Sequence, residues 1–100
     1  MINIDFYKDG FQVRNHSNYD VHNRDIVCAG VSAVVLGSIN WFQEKDILDI
    51  VVDNTIPIVK LKIKLNPKTI AGLGLIKNQL QEISRSYADY VSLIEHNENI

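Results

Sequence analysis

The sequence predicts an α+β domain of order ββαββα: a four-stranded, mostly antiparallel sheet with two helices packed on one face. Three observations carry this. Residues 2–7, 11–14 and 58–65 alternate between apolar and polar side chains, the period of a strand with one buried face. A run without charge extends from Ile26 to Gln43. A stripe of apolar residues at spacings of three and four runs from Ile70 to Ile94, the period of an amphipathic helix.

In the first strand Ile2, Ile4 and Phe6 alternate with Asn3, Asp5 and Tyr7. Asp9-Gly10 follows, a strong hairpin signal because both residues tolerate the positive φ of a type I′ turn. Phe11 and Val13 against Gln12 and Arg14 form the second strand, and His16 shares the polar parity. Residues 15–24 are polar and rich in asparagine (Asn15, Asn18, Asn23), which accepts turn conformations readily. A helix is expected from Asp25, its N-cap, to about Phe42. Its early residues are small (Ala29, Gly30, Ser32, Ala33) and its late ones bulky (Leu36, Ile39, Trp41, Phe42), so a backbone or partner can approach its start.

Ile47 to Val52 reads as a β-branched strand closed by a turn at Asp53-Asn54. In the next strand Val59, Leu61, Ile63 and Leu65 take one face and Lys60, Lys62 and Lys64 the other. Asn66-Pro67 is a cap followed by proline at the first helical position, where a missing N–H costs nothing. The last helix carries Ile70, Leu73, Ile76, Leu80, Ile83, Tyr87, Val91 and Ile94 on one stripe. Residues 1–100 read as a single domain without linker or repeat.

Composition narrows the function classes. With 46% hydrophobic and 22% charged residues the chain is an ordinary globular protein, and a net charge of −2 argues against a dedicated nucleic-acid binder. The uncharged run contains Gly30, Ser32, Gly37, Ser38 and Asn40, too polar for a spanning helix. No basic–apolar–small pattern of a secretory signal opens the sequence, and one cysteine cannot form an internal disulfide, so a reducing cytoplasm is expected. Three histidines and one cysteine lack metal-ligand spacing, so a zinc site is not expected.

The chemistry centres on Cys28. Three residues past the expected N-cap, it would lie in a first turn, where orphan N–H groups and the helix dipole favour a thiolate. A thiolate, a histidine and a helix N-terminus are the minimum parts of a cysteine-dependent acyl transferase or hydrolase. By residue type alone, a lone cysteine at a helix start is more often a small buried hydrophobe. His16 and His22 are both available as bases, and His96 lies in a tail expected to be solvated. The row Lys60, Lys62, Lys64 reads as a solvated strand face, an edge-protection device or a weak anion-docking patch. The pairs Trp41/Phe42 and Tyr87/Tyr90 read as core or dimer contacts.

The block His16-Ser17-x-Tyr19 followed by Asp25-Ile26-Val27-Cys28-Ala29-Gly30-Val31-Ser32 resembles the signature of the ribosomal-processing cysteine protease family. The likeness extends to the Phe6-Tyr7-Lys8-Asp9-Gly10-Phe11 hairpin and to the overall length. That resemblance implies a cytoplasmic bacterial homodimer, without metal or organic cofactor. It implies an endopeptidase that removes an N-terminal extension from a large-subunit ribosomal protein precursor, number twenty-seven of that subunit, cutting after an aromatic, hydrophobic end. Carried over by position, Cys28 is the nucleophile, His16 the base, and Asp25 and Ser32 supporting residues. The chain departs from the family in having Asn15-His16-Ser17 where Gly-His-Ala is common, and Asn18 and Asn23 where glycines are usual. The competing function is a non-catalytic domain of the same fold that binds a ribosomal partner. A small RNA-binding module is disfavoured by the acidic balance.

Overall fold

The computed structural model describes the backbone of residues 1–14, 22–53 and 57–100, and the side chains of the same residues apart from 22–25. The element order is β1 (Ile2–Tyr7), β2 (Gly10–Arg14), α1 (His22–Ile39), a 3-10 turn at Glu44–Asp46, β3 (Ile47–Asp53), β4 (Ile58–Ile63), α2 (Pro67–Ser86) and β5 (Val91–Glu95). The strands form one sheet in the order β3-β4-β2-β1-β5. The first three pairings are antiparallel, whereas β5 runs parallel to β1.

The sheet is therefore five-stranded and mixed, not the four-stranded, mostly antiparallel sheet that the sequence predicts. The difference lies at the C-terminal end of the apolar stripe. Helix α2 stops at Ser86; the Tyr87 N–H donates to Ile83 O, and a turn closes where the Tyr90 N–H donates to Tyr87 O. That turn happens to keep Val91 in helical phase with Tyr87. Val91 instead opens a strand whose β-branched and apolar residues pair with β1, with Val91 opposite Ile2 and Leu93 opposite Ile4. Ile94 faces the other side and is exposed.

The hairpin also differs by one residue. Tyr7 pairs with Gly10, so the two loop residues are Lys8 and Asp9, and Gly10 already belongs to β2. Glycine answers a need for space there: a Cβ on Gly10 would collide with the carbonyl oxygen of Leu61 on β4. Asp9 is buried at the turn, where its carbonyl accepts the Ile63 N–H at 2.8 Å.

All the buried strand residues of one parity lie on a single face: Ile4 and Phe6 of β1, Phe11 and Val13 of β2, Val59 and Leu61 of β4. Both helices cover this face, as the sequence predicts. Helix α1 contributes Val27, Val31, Val35 and Ile39, four residues apart, and α2 contributes Leu73, Ile76 and Leu80. Burial of each such side chain contributes about 1.5–3 kcal/mol. Leu65, expected on the buried face of β4, is exposed because the strand ends at Ile63 and the chain turns to cap α2. There Asn66 Oδ1 accepts the Thr69 N–H and Thr69 Oγ1 accepts the Asn66 N–H, both at 2.9 Å, a reciprocal capping box with Pro67 behind it. Among the described residues, no helix is long and apolar enough to cross a membrane.

Candidate functional site

Cys28 lies on α1, but not where a cap at Asp25 would put it. The helix begins at His22, so Asp25 falls inside it and Cys28 lies in its second turn. The stretch His22-Asn23-Arg24, which reads as loop by composition, opens α1 instead. The four unsatisfied N–H groups of a helix belong to its first residues, and the dipole effect fades within the first turn. Cys28 therefore lies beyond the first turn in which the sequence places it.

The position of Cys28 on the helix surface is more informative. Val27, Val31 and Val35 point at the sheet. Gly30 faces α2, since a Cβ there would lie 3.9 Å from Ile83 Cδ1, and Gly37 lines a groove shared with Ala71, Gly72 and Leu75 of α2. At about 100° per residue, from 3.6 residues per turn, positions 25, 28 and 32 fall on the opposite flank of α1, away from α2. Cys28 is half-buried and packs against the core, and Ser32 is half-buried one turn further on. The structure thus brings Cys28 and Ser32 to one flank, with position 25 on the same side of the backbone. His16 lies outside the described residues. His22 is the first residue of α1, and its side chain lies outside them too.

The open face of the sheet holds a polar network that sequence reasoning missed. Asp5, only 8% exposed, accepts a hydrogen bond from Arg14 Nη2 at 3.0 Å, and its other oxygen lies 2.8 Å from His96 Nε2. The His96 ring stacks on Tyr7 with centroids 4.5 Å apart. His96 is therefore docked rather than solvated, and its backbone N–H donates to Phe6 O at 2.7 Å. Asp9 accepts the Ile100 N–H at 2.8 Å, and Lys62 lies 3.9 Å from Asp9. Parity alone hints that Asp5 faces away from the core; its partner 91 residues away has no local signal.

Lys60 pairs with Asp49 at 3.2 Å. Because β4 is interior to the sheet, its lysines do not protect an edge. Trp41 and Phe42 pack edge to face at 5.2 Å just beyond α1, Phe42 buried and Trp41 half-exposed against Gly72. Trp41 borders an apolar groove of about 380 Å³ between the two helices. A second groove of about 390 Å³ is lined by Phe6, Tyr7, Lys77, Glu95 and His96 among others. Neither groove is lined by Cys28.

Comparison with known proteins bears on which of these features is functional. The chain is similar to the ribosomal processing cysteine protease Prp of Mycoplasma genitalium, with 28% identity over 96 residues that cover 95% of this chain and 96% of that protein. Its similarity to the protein of the same name from Mycoplasma pneumoniae is 32% identity over 78 residues, 77% of each chain. Its fold is similar to that of the essential ribosomal processing protease Prp of Staphylococcus aureus, crystallised with a substrate peptide. The TM-score is 0.82 at 24% sequence identity, over 96% of this chain and 100% of that one. The family model for cysteine protease Prp matches residues 1–92. With strands β1 to β4 and both helices inside that match, the chain belongs to the cysteine protease Prp family of cysteine-type hydrolases.

Proposed function

We propose that this protein is an endopeptidase that removes the N-terminal extension of a large-subunit ribosomal protein precursor, with Cys28 as nucleophile and His16 as general base. The observation that carries the reading is family membership over residues 1–92 combined with a sequence that holds one cysteine. A cysteine protease needs a thiol, and Cys28 is the thiol this chain has. Its half-buried place on an α1 flank that α2 leaves open suits a side chain that must meet a peptide carbonyl.

In this mechanism His16 accepts the Sγ proton and Cys28 attacks the scissile carbonyl, giving a tetrahedral oxyanion. Collapse breaks the C–N bond, the imidazolium gives its proton to the leaving amine, and an acyl-enzyme remains. Water, deprotonated by His16, then releases the shortened acid. Ser32, one turn from Cys28, and Asp25 act as supporting residues. The protein works in the bacterial cytoplasm as a homodimer, needs no metal or organic cofactor, and takes the precursor as its peptide partner.

Mass spectrometry of the purified protein incubated with the extended precursor tests this. Cleavage is expected for the parent and absent for Cys28→Ala and His16→Ala, with Ser32→Ala retaining measurable activity. A Cys28→Ala variant that cuts as well as the parent refutes the reading. Loss in His22→Ala with His16→Ala active would transfer the base to His22. Binding of the precursor by a parent that cuts nothing would make the protein an interaction domain instead.

A further inference from the structure

Helix α1 has no charged side. From Ile26 to Gln43 the chain holds no charged residue, although only one face of the helix packs on the sheet. Its outer face, at Ala29, Ala33, Leu36 and Gly37, is exposed. A helix that is apolar all round is one that is covered all round. Next to this face runs the groove between α1 and α2, formed by the small residues Gly37, Ala71 and Gly72. Trp41 and Leu75 stand at its sides, 48% and 60% exposed, and none of its lining residues is charged.

The outer face of α2 carries a pattern that reads the same in both directions. At about 100° per residue, Lys68, Ala71, Leu75, Gln79 and Glu82 fall within about 40° of one line along the helix. All five are exposed. The steps between them are symmetric about Leu75. Turned end over end, the stripe therefore meets itself with Leu75 on Leu75, Ala71 on Gln79 and Lys68 on Glu82. Lys68 has no ion-pair partner among the described residues, and its ammonium lies 5.1 Å from the centre of the Trp41 ring. Glu82 meets Arg85 through Oε2 in a solvent-exposed pair, which leaves Oε1 to take a second cation.

We infer that this face is a two-fold interface with a second copy of the chain, in which the α2 helices pack antiparallel about Leu75 and each Leu75 enters the other copy's groove. The inference rests on the homodimer of the proposed function and gives that dimer its surface. Two-fold symmetry places one patch against itself, so a patch must supply both the projecting side chain and the space that receives it. Here Leu75 projects beside a groove of small residues. Charge fixes the direction: parallel helices would set Lys68 on Lys68 and Glu82 on Glu82. The centre is apolar and the ion pairs fall at the rim, the usual anatomy of an interface. Size agrees as well. Helices of 18 and 20 residues make a face about 27 Å long and about 20 Å wide, suited to the roughly 800 Å² per partner of a stable complex. Cys28 lies around α1 from this face, so both thiols of the dimer stay open to a peptide.

Sedimentation velocity over a range of concentrations, on the full chain, tests this through the dimer dissociation constant. Leu75→Glu puts two carboxylates together on the axis and should weaken the dimer at least about thirtyfold, the loss of one central contact. Lys68→Glu and Glu82→Lys should each weaken it about tenfold, and the double exchange should restore it to within about threefold of the parent. Such a restoration cannot come from misfolding. Ile94→Asp, exposed on the opposite face of the sheet, should leave the dimer unchanged, and Leu75→Glu should leave iodoacetamide alkylation of Cys28 unchanged. An unaltered dimer in Leu75→Glu, or a double exchange no better than the single ones, overturns the inference while leaving the homodimer reading intact. Dissociation by Leu48→Glu on the exposed edge strand β3, with Leu75→Glu dimeric, assigns the interface to that edge and overturns it also. A parent that is monomeric at every concentration removes the homodimer reading and this inference together, and leaves the protease reading standing.

Discussion

The Asp5 network makes a quantitative prediction about how the C-terminal tail is held. Asp5→Ala removes two interactions at once: the bond from Arg14 at 3.0 Å and the bond to His96 at 2.8 Å. The Arg14 side chain is 48% exposed, so its share is that of a surface pair, about 0.5–1 kcal/mol. His96 is docked against Tyr7, and a hydrogen bond from such a group to a carboxylate contributes about 1.5–2 kcal/mol. The sum is about 2–3 kcal/mol, which for a domain of this size lowers Tm by about 10–20 °C. Thermal unfolding of Asp5→Ala, His96→Ala and the double variant gives the coupling. Once Asp5 is gone, His96→Ala should cost at least about 1 kcal/mol less than it does in the parent, because the shared bond is already lost. Costs that add to within about 0.5 kcal/mol would refute the reasoning, since that is how independent sites behave.

Gly10→Ala should destabilise the protein by about 3 kcal/mol or more in urea unfolding, since its Cβ meets a ladder carbonyl that cannot step aside. Gly72→Ala should cost less than about 1.5 kcal/mol, because Trp41 can swing outward and alanine favours the helix by about 1 kcal/mol; equal costs would contradict this. Thr69→Val breaks the capping box and the bond from Thr69 Oγ1 to Lys64 O at 2.7 Å, and should cost about 2 kcal/mol by the same assay. Val91→Asp puts a carboxylate opposite buried Ile2 and should cost more than about 3 kcal/mol, whereas Ile94→Asp, on the exposed side, should cost less than about 1 kcal/mol.

Local physics in the sequence carries much of this fold. Alternation in β1, β2 and β4 reports one buried face, and Asn66-Pro67 marks the start of α2 to the residue. Elements that depend on distant partners are not legible in the same way. Nothing near Val91 distinguishes a last helical turn from a strand until β1 supplies the other half of the ladder. The Gly10 position looks like turn chemistry and is decided by Leu61 on another strand. For the candidate site, residue type and resemblance single out Cys28. The helix start that would have activated it reads wrongly, because Asp25 is as good a cap by type as it is a helical residue by position. The flank on which Cys28 lies emerges only when α2 is in place on the other side.

Strand β1 is flanked by β2, a few residues later in the chain, and by β5, residues 91–95. During synthesis the first neighbour is available almost at once and the second only after nearly all of the domain has been made. Until then one side of β1 is an open edge beside apolar Ile2 and Ile4, a template for pairing with another nascent chain. The parallel partnership also raises the average sequence separation of native contacts, which slows the search for the folded state. The strand that the sequence hides is thus the one that closes the domain, and truncations before Val91 should leave a chain that aggregates rather than a smaller folded one.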